Sequence, residues 1–315
     1  METSEHKTSL LEHFYEIETD VLIYVGSINR NGYDLLCSKL ESLQRQKNCL
    51  LALATFGGDP NAAYRIARAI SHNYPDPGEV SILVPTYCKS AGTLVCIGAH
   101  KLIISDKGEL GPVDIQVQKL DEMFKRMSGL SIIRGLEYLQ ESALDTFRRY
   151  LIDINRGSGL STKTASEVAS KLTTGLYGQI FAQIDPMILG EMQAEITIAL
   201  EYGDRLNERY KNLKSDALRK LTKAYPSHGF VIDRKEIKDL FNNVRMPDEY
   251  ERKVASFADM LFTDVAAFQR EPFVVDYLRD LNTNNPAENG DTNDKPRADR
   301  ATDEEDAPDR RVAGD

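Results

Sequence analysis

The strongest constraint on this chain is an alternation of short apolar runs with helical repeats through its first third. Val21-Leu22-Ile23-Tyr24-Val25 is a continuous apolar run with β-branched members, the pattern of a buried strand. Tyr33, Leu36, Cys37, Leu40 and Leu43 then recur at helical spacing, which predicts an amphipathic helix. Cys49–Ala54 reads as a second buried strand, and Ala63, Ile66, Ala67 and Ile70 mark one face of the next helix. Val80–Val84 is a third strand, Ala91–Ala99 a small-residue helix and Lys101–Ser105 a fourth strand. Strands joined through helices run parallel, so this order predicts an α/β fold: a mostly parallel sheet with helices on both faces.

From about Leu120 the strand signal ends. Ile132–Ile154, Thr162–Leu172, Pro186–Tyr210, Asp216–Ala224, Arg234–Phe241 and Asp248–Phe262 all read as helices, a helical half suited to building oligomer contacts outside a sheet. Beyond about Leu281 the composition collapses to Asn, Asp, Glu, Pro, Arg and Gly, which bury too little apolar surface to fold. The expected organisation is an extension over 1–19 and a folded unit over 20–263, with its core at 20–118 and its helical part at 119–263. A short segment at 264–281 and a disordered acidic tail at 282–315 follow.

The net charge of -10 argues against nucleic-acid binding, which needs a basic face to neutralise phosphates. No apolar run approaches the ~20 residues that span a bilayer, so no transmembrane segment is expected. Met1–Asp20 is polar and acidic and lacks the order of a signal peptide, which points to a cytoplasmic protein. Cys37, Cys49 and Cys96 lie in apolar patterns and read as buried small hydrophobes, and the four cysteines lack zinc spacing. His6, His13, His72 and His100 show no paired ligand spacing, so neither metal nor other cofactor is expected.

Two segments fall at the C-terminal ends of predicted strands, where open α/β sheets place their ligands. In Thr55-Phe56-Gly57-Gly58-Asp59-Pro60, Asp59 is a helix N-cap and Pro60 a first-turn residue. The glycines let backbone come close to a substrate, and a helix start offers unpaired N–H groups suited to a developing oxyanion; the alternative is a plain strand-to-helix turn. In Tyr87-Cys88-Lys89-Ser90-Ala91-Gly92-Thr93, Ser90 sits where a turn hands over to a helix. It is either a nucleophile at the positive helix end, with the Ala91 N–H aimed at the same spot, or a simple N-cap.

Taken as an ordered set, Gly57-Gly58-Asp59-Pro60, Lys89-Ser90-Ala91-Gly92-Thr93, Leu110-Gly111-Pro112-Val113-Asp114-Ile115-Gln116 and the later Tyr225-Pro226-Ser227-His228-Gly229-Phe230 resemble the serine dehydrogenase proteinase family. That family is related to signal peptide peptidase A and, more remotely, to the Clp peptidase. The resemblance, over roughly Val21 to Val244, implies a Clp- or crotonase-like spiral of ββα units that assembles into a homo-oligomer. It implies a Ser90 nucleophile, an oxyanion hole at Gly57, Gly58 and Ala91, and peptide or protein substrates bound as an added strand.

The general base is the open position. A serine hydroxyl needs a neighbour to take its proton. The Clp peptidase uses a His downstream of the serine, but Gly111–Gln116 contains none. The signal-peptide-peptidase branch uses a Lys, but Ser128–Leu151 holds only Arg134, Arg148 and Arg149 as cations, and arginine is too basic for the task. His228 is the leading candidate, with Asp114 to orient it; Lys119, Lys125 and Lys89 are the others, although Lys89 directly precedes Ser90 and is read as pointing elsewhere. Against the serine peptidase stand two further readings: a catalytically impaired peptide-binding or assembly scaffold, and an acyl-CoA enzyme using Glu109 or Asp114 as its acid.

Overall fold

A computed structural model describes residues 2–43, 45–113, 116–118, 126–227, 229–267 and 271–282 of the chain. In chain order the elements are α1 (Glu2–Glu16), β1 (Thr19–Val25), α2 (Arg30–Ser42), β2 (Asn48–Ala54), α3 (Pro60–Asn73), β3 (Val80–Val84), β4 (Tyr87–Cys88), α4 (Ala91–Ile97), β5 (Lys101–Ile104) and β6 (Glu109–Leu110). The rest are β7 (Gln116–Gln118), β8 (Arg126–Ser128), α5 (Gly129–Ser158), α6 (Thr162–Phe181), α7 (Pro186–Tyr210), α8 (Ala217–Arg219) continued by a π-helical turn (Lys220–Ala224), α9 (Arg234–Leu240), β9 (Val244–Arg245), α10 (Glu249–Ala267), β10 (Phe273–Asp276) and α11 (Tyr277–Asn282).

The main sheet has the order β10-β1-β2-β3-β5-β9. Its strands are parallel except β10, which lies antiparallel against β1. All seven residues of β1 are buried, as an apolar run covered on both faces requires. Alternate side chains serve two cores. Leu22 and Tyr24 pack with Leu36, Ile66 and Leu94 of α2, α3 and α4, while Val21, Ile23 and Val25 pack with Phe14 of α1 and Val254 and Phe262 of α10.

The expected spiral is present. After β3 and β5 the chain turns off the main sheet into short second strands, β4 and β6, which pair in parallel. Thr55, just past β2, bridges Cys88, and Gly58 bridges Ile28, so each core strand feeds a second, smaller strand layer. The helix starts follow the sequence signals. Asn29 accepts from the Gly32 amide to cap α2, and Asp59 caps α3 with Pro60 in its first turn.

Three readings need correction. Strand structure does not end near Leu120: β9 and β10 join the main sheet at opposite edges. Neither is long enough to show a period, and β10 is a four-residue run between polar stretches. Cys37 is half-buried rather than buried, because it lies at the rim of α2, whereas Cys49, Cys88 and Cys96 are buried. The first residues, read as a polar extension, form α1, whose Leu10 and Phe14 enter the second core. Among the described residues no helix is long and apolar enough to cross a membrane.

Candidate active site

The two segments singled out above meet in space. Past β2, Ile28 takes one edge of the glycine pair: its N–H donates to Gly57 O at 2.9 Å, and the Asp59 N–H donates to Ile28 O at 2.8 Å. In a parallel pairing the residues flanking Gly58 face Ile28, so the Gly58 N–H turns toward the opposite edge. That edge belongs to the serine turn: the Thr55 N–H donates to Tyr87 O at 2.8 Å and the Lys89 N–H to Thr55 O at 3.0 Å. A side chain on Gly57 would place its Cβ 2.8 Å from Ser90 Cβ and 3.3 Å from Ser90 Oγ. Gly57 has φ +105, and at Gly58 a Cβ would collide with the Ile28 carbonyl. Only glycine fits either place.

Ser90 joins β4 to α4 with φ 52 and ψ -115. A non-glycine residue held there costs about 1–3 kcal/mol, and its surroundings must fix it. They do. The Gly92 N–H closes the turn on Lys89 O at 2.8 Å, and Thr93 Oγ1 lies 2.7 Å from Gly111 O and 3.1 Å from Cys88 O. A Cβ on Gly92 would come within 2.8 Å of Cys88 Sγ, so α4 packs tightly for the reason its small residues suggest. The Ser90 side chain makes no helix-cap hydrogen bond, so the simple N-cap reading does not describe it. Among the described residues, neither the Gly58 N–H nor the Ala91 N–H has an acceptor. Ala91 is the first residue of α4, where no intrahelical partner exists.

The candidate bases divide. Lys89 does point elsewhere: its Nζ lies 2.6 Å from Glu109 Oε1, and the pair is largely buried. This also commits Glu109, one of the two carboxylates that the acyl-CoA reading offered. His228, Asp114, Lys119 and Lys125 lie outside the described residues. Residues near His228 and Asp114, however, are anchored by backbone hydrogen bonds. Leu110 and Ile232 exchange two backbone hydrogen bonds of 3.0 Å, and the Val113 N–H donates to Leu221 O at 2.9 Å.

Two features escaped the sequence reading. Phe56 and Tyr87 are 57% and 40% exposed, yet their rings stand 5.0 Å apart, with Phe262 of α10 5.1 Å from Phe56. They form an aromatic rim at the strand ends; the only sequence signal was their place beside Gly57 and near Ser90. The second is a contact of 3.6 Å between Cys88 Sγ and Cys96 Sγ, where burial pushes the Cys88 thiol well above its ordinary pKa.

Strand layers and turn together define an α/β protein of the Clp-like spiral class. Residues 41–184, which hold Gly57, Gly58 and Ser90, match the model of the ClpP-like SDH-type serine proteinase family, the family that the motifs resemble. An uncharacterized protein of Methanocaldococcus jannaschii is 36% identical over 78 residues, 25% of this chain and 26% of that protein. The chain therefore matches about a quarter of that relative's length. Among solved structures, the 1510-N membrane-bound stomatin-specific protease in complex with a substrate peptide is similar over 76% of this chain and 97% of its own, with 16% identity and a TM-score of 0.30. The ClpP protease catalytic domain from Plasmodium falciparum is similar over 33% of this chain and 59% of its own, with 14% identity and a TM-score of 0.25.

Proposed function

We propose that the protein is a serine peptidase with Ser90 as nucleophile. The observation that carries the reading is the strained Ser90 backbone pressed against Gly57, an arrangement that costs stability and has no structural purpose in a plain turn. Ser90 Oγ attacks the scissile carbonyl while a base takes its proton. The N–H groups of Gly58 and Ala91 receive the developing oxyanion, with Gly57 leaving room for it. The base then protonates the leaving amine, and water hydrolyses the acyl-enzyme by the same steps. His228 is our choice of base, oriented by Asp114. The support is that the flanking residues Phe230 and Ile232 are hydrogen-bonded to Lys89 and Leu110, next to the nucleophile.

Substrates on this reading are extended peptides laid beside Gly57-Gly58, with the Phe56–Tyr87 rim in reach of their side chains. The working form is a cytoplasmic homo-oligomer. Its support is the row Val168, Leu172, Leu176 and Ile180, all exposed at four-residue spacing on α6. The test is labelling with a fluorophosphonate probe. Wild type takes the label, Ser90→Ala does not, and His228→Ala labels far more slowly. A wild type that takes no label, or a Ser90→Ala variant that takes it equally, refutes the reading.

A further inference from the structure

We infer that Lys89 is a positioning residue that latches the 225–232 segment onto the serine turn. Its catalytic meaning rests on the Ser90 reading, while its geometry stands apart from it.

A lysine ammonium carries three N–H donors and no acceptor. Three acceptors surround this one: Glu109 Oε1 at 2.6 Å, Leu110 O at 3.2 Å and Phe230 O at 3.3 Å. The charged nitrogen is therefore fully engaged, which removes Lys89 from the candidate bases. Its acceptors lie on two stretches of chain far apart in sequence. Glu109 and Leu110 form β6, which pairs with β4 directly before Ser90; Phe230 belongs to the segment that carries His228. The buried stem passes over Gly111, where a Cβ would come 2.6 Å from Lys89 Cδ and 3.3 Å from Lys89 Cβ. Gly111 thus clears the route, and the planar guanidinium of an arginine has no equivalent path.

A buried charge without its partner is costly, so Glu109 holds Lys89 in place. Lys89 in turn holds Phe230. Among the described residues, the backbone link from β6 to this segment is the Leu110–Ile232 pair. Loss of Lys89 leaves Phe230 O without its cationic donor and frees the stretch on the Ser227 side of that pair.

The experiment compares wild type, the double variant Lys89→Met with Glu109→Met, and the single variant Lys89→Gln. The double variant removes both charges at similar volume, a change that is often neutral for stability. Lys89→Gln still donates to Glu109 but is too short to reach Phe230. In both variants hydrogen exchange of peptides covering 226–232 is expected to accelerate about tenfold or more, the scale of a lost charge-assisted hydrogen bond, while peptides from β1 exchange as in wild type. Fluorophosphonate labelling of Ser90 falls by a similar factor, and the rise of labelling rate with pH flattens, because the stretch beside the proposed base is no longer fastened to Lys89. Wild-type exchange over 226–232 in a folded variant overturns the latch, as does wild-type labelling with an unchanged pH profile. If wild type itself takes no label, the Ser90 reading fails, and the exchange comparison alone decides the latch.

Discussion

The two ends of the parallel sheet are built on opposite terms. At the C-terminal ends of the strands, Gly57 and Ser90 hold positive φ, and the Gly58 and Ala91 amides have no acceptor among the described residues. At the N-terminal ends, several polar groups are matched. Asp20 accepts from the Tyr74 hydroxyl at 2.7 Å and the Gln46 amide at 2.9 Å. Asn48 donates to Ile17 O at 3.1 Å and accepts from the Glu79 amide at 3.0 Å. Arg209 of α7 reaches Ser71 O, Tyr74 O and Asp76. The Ser90 strain and the two idle amides stand at one end; the other carries one strained residue of its own, Glu18 with φ 48, and contributes cross-links that add rigidity.

The largest effect expected is at the strained end. Gly58→Ala drives a methyl group into the Ile28 carbonyl and should cost about 3 kcal/mol or more, with labelling abolished. Gly57→Ala meets the Ser90 side chain instead, so it should cost about 1–3 kcal/mol in backbone strain yet lose most labelling of the folded protein. Urea titration and probe labelling read the two effects separately. A Gly57→Ala variant with full labelling breaks the claim that the glycines serve the site.

Arg209→Ala is the counterpart at the matched end. Asp76 is 82% exposed, so its ion pair contributes little, and the bonds to the Ser71 and Tyr74 carbonyls carry the effect. Two charge-assisted hydrogen bonds lost together should cost about 2 kcal/mol. Labelling per folded molecule should stay at the wild-type rate; a parallel loss of both would mean the ends are coupled.

The same division decides what the sequence reveals. Buried strands are legible because β1 to β3 are continuous apolar runs, and Asp59-Pro60 announces α3 through its own capping chemistry. The serine turn is legible as an ordered motif, since Gly57, Gly58, Ser90 and Gly92 each meet a local backbone or packing demand. β9 and β10 are not, because two and four residues carry no period and tertiary pairing alone makes them strands. The Lys89 contacts are equally silent: no spacing rule links position 89 to positions 109 and 230. Phe56 and Tyr87 look like ordinary strand aromatics until the fold leaves them exposed.

Ser90→Gly sharpens the comparison with the opposite sign. Glycine adopts φ 52 freely, so the strain is relieved, although the unfolded chain also gains freedom. The net gain should be about 1 kcal/mol, a rise of roughly 2 °C in Tm for a chain of this size, together with complete loss of labelling. A variant that is less stable than wild type would show that Ser90 sits there for structural reasons.

The smallest expected effect lies at the matched end and appears only in pH dependence. Burial raises the Asp20 pKa above its ordinary value, against the Tyr74 hydrogen bond, the Gln46 amide and the Arg45 charge, which lower it. The folded state then holds a proton that the unfolded state releases, in a window opening at the ordinary Asp range of about 4. Within that window stability falls as pH rises; above it the deficit is constant. Asp20→Asn removes the titration, and because both donors converge on Oδ2, an amide oxygen keeps both bonds. The stability difference between variant and wild type should therefore widen in the variant's favour as pH rises through the window and then level off. Urea midpoints measured across pH check this, with the labelling profile of Ser90 unmoved. A difference that stays flat with pH would mean that Asp20 titrates alike in both states, and that this end of the sheet carries no hidden cost.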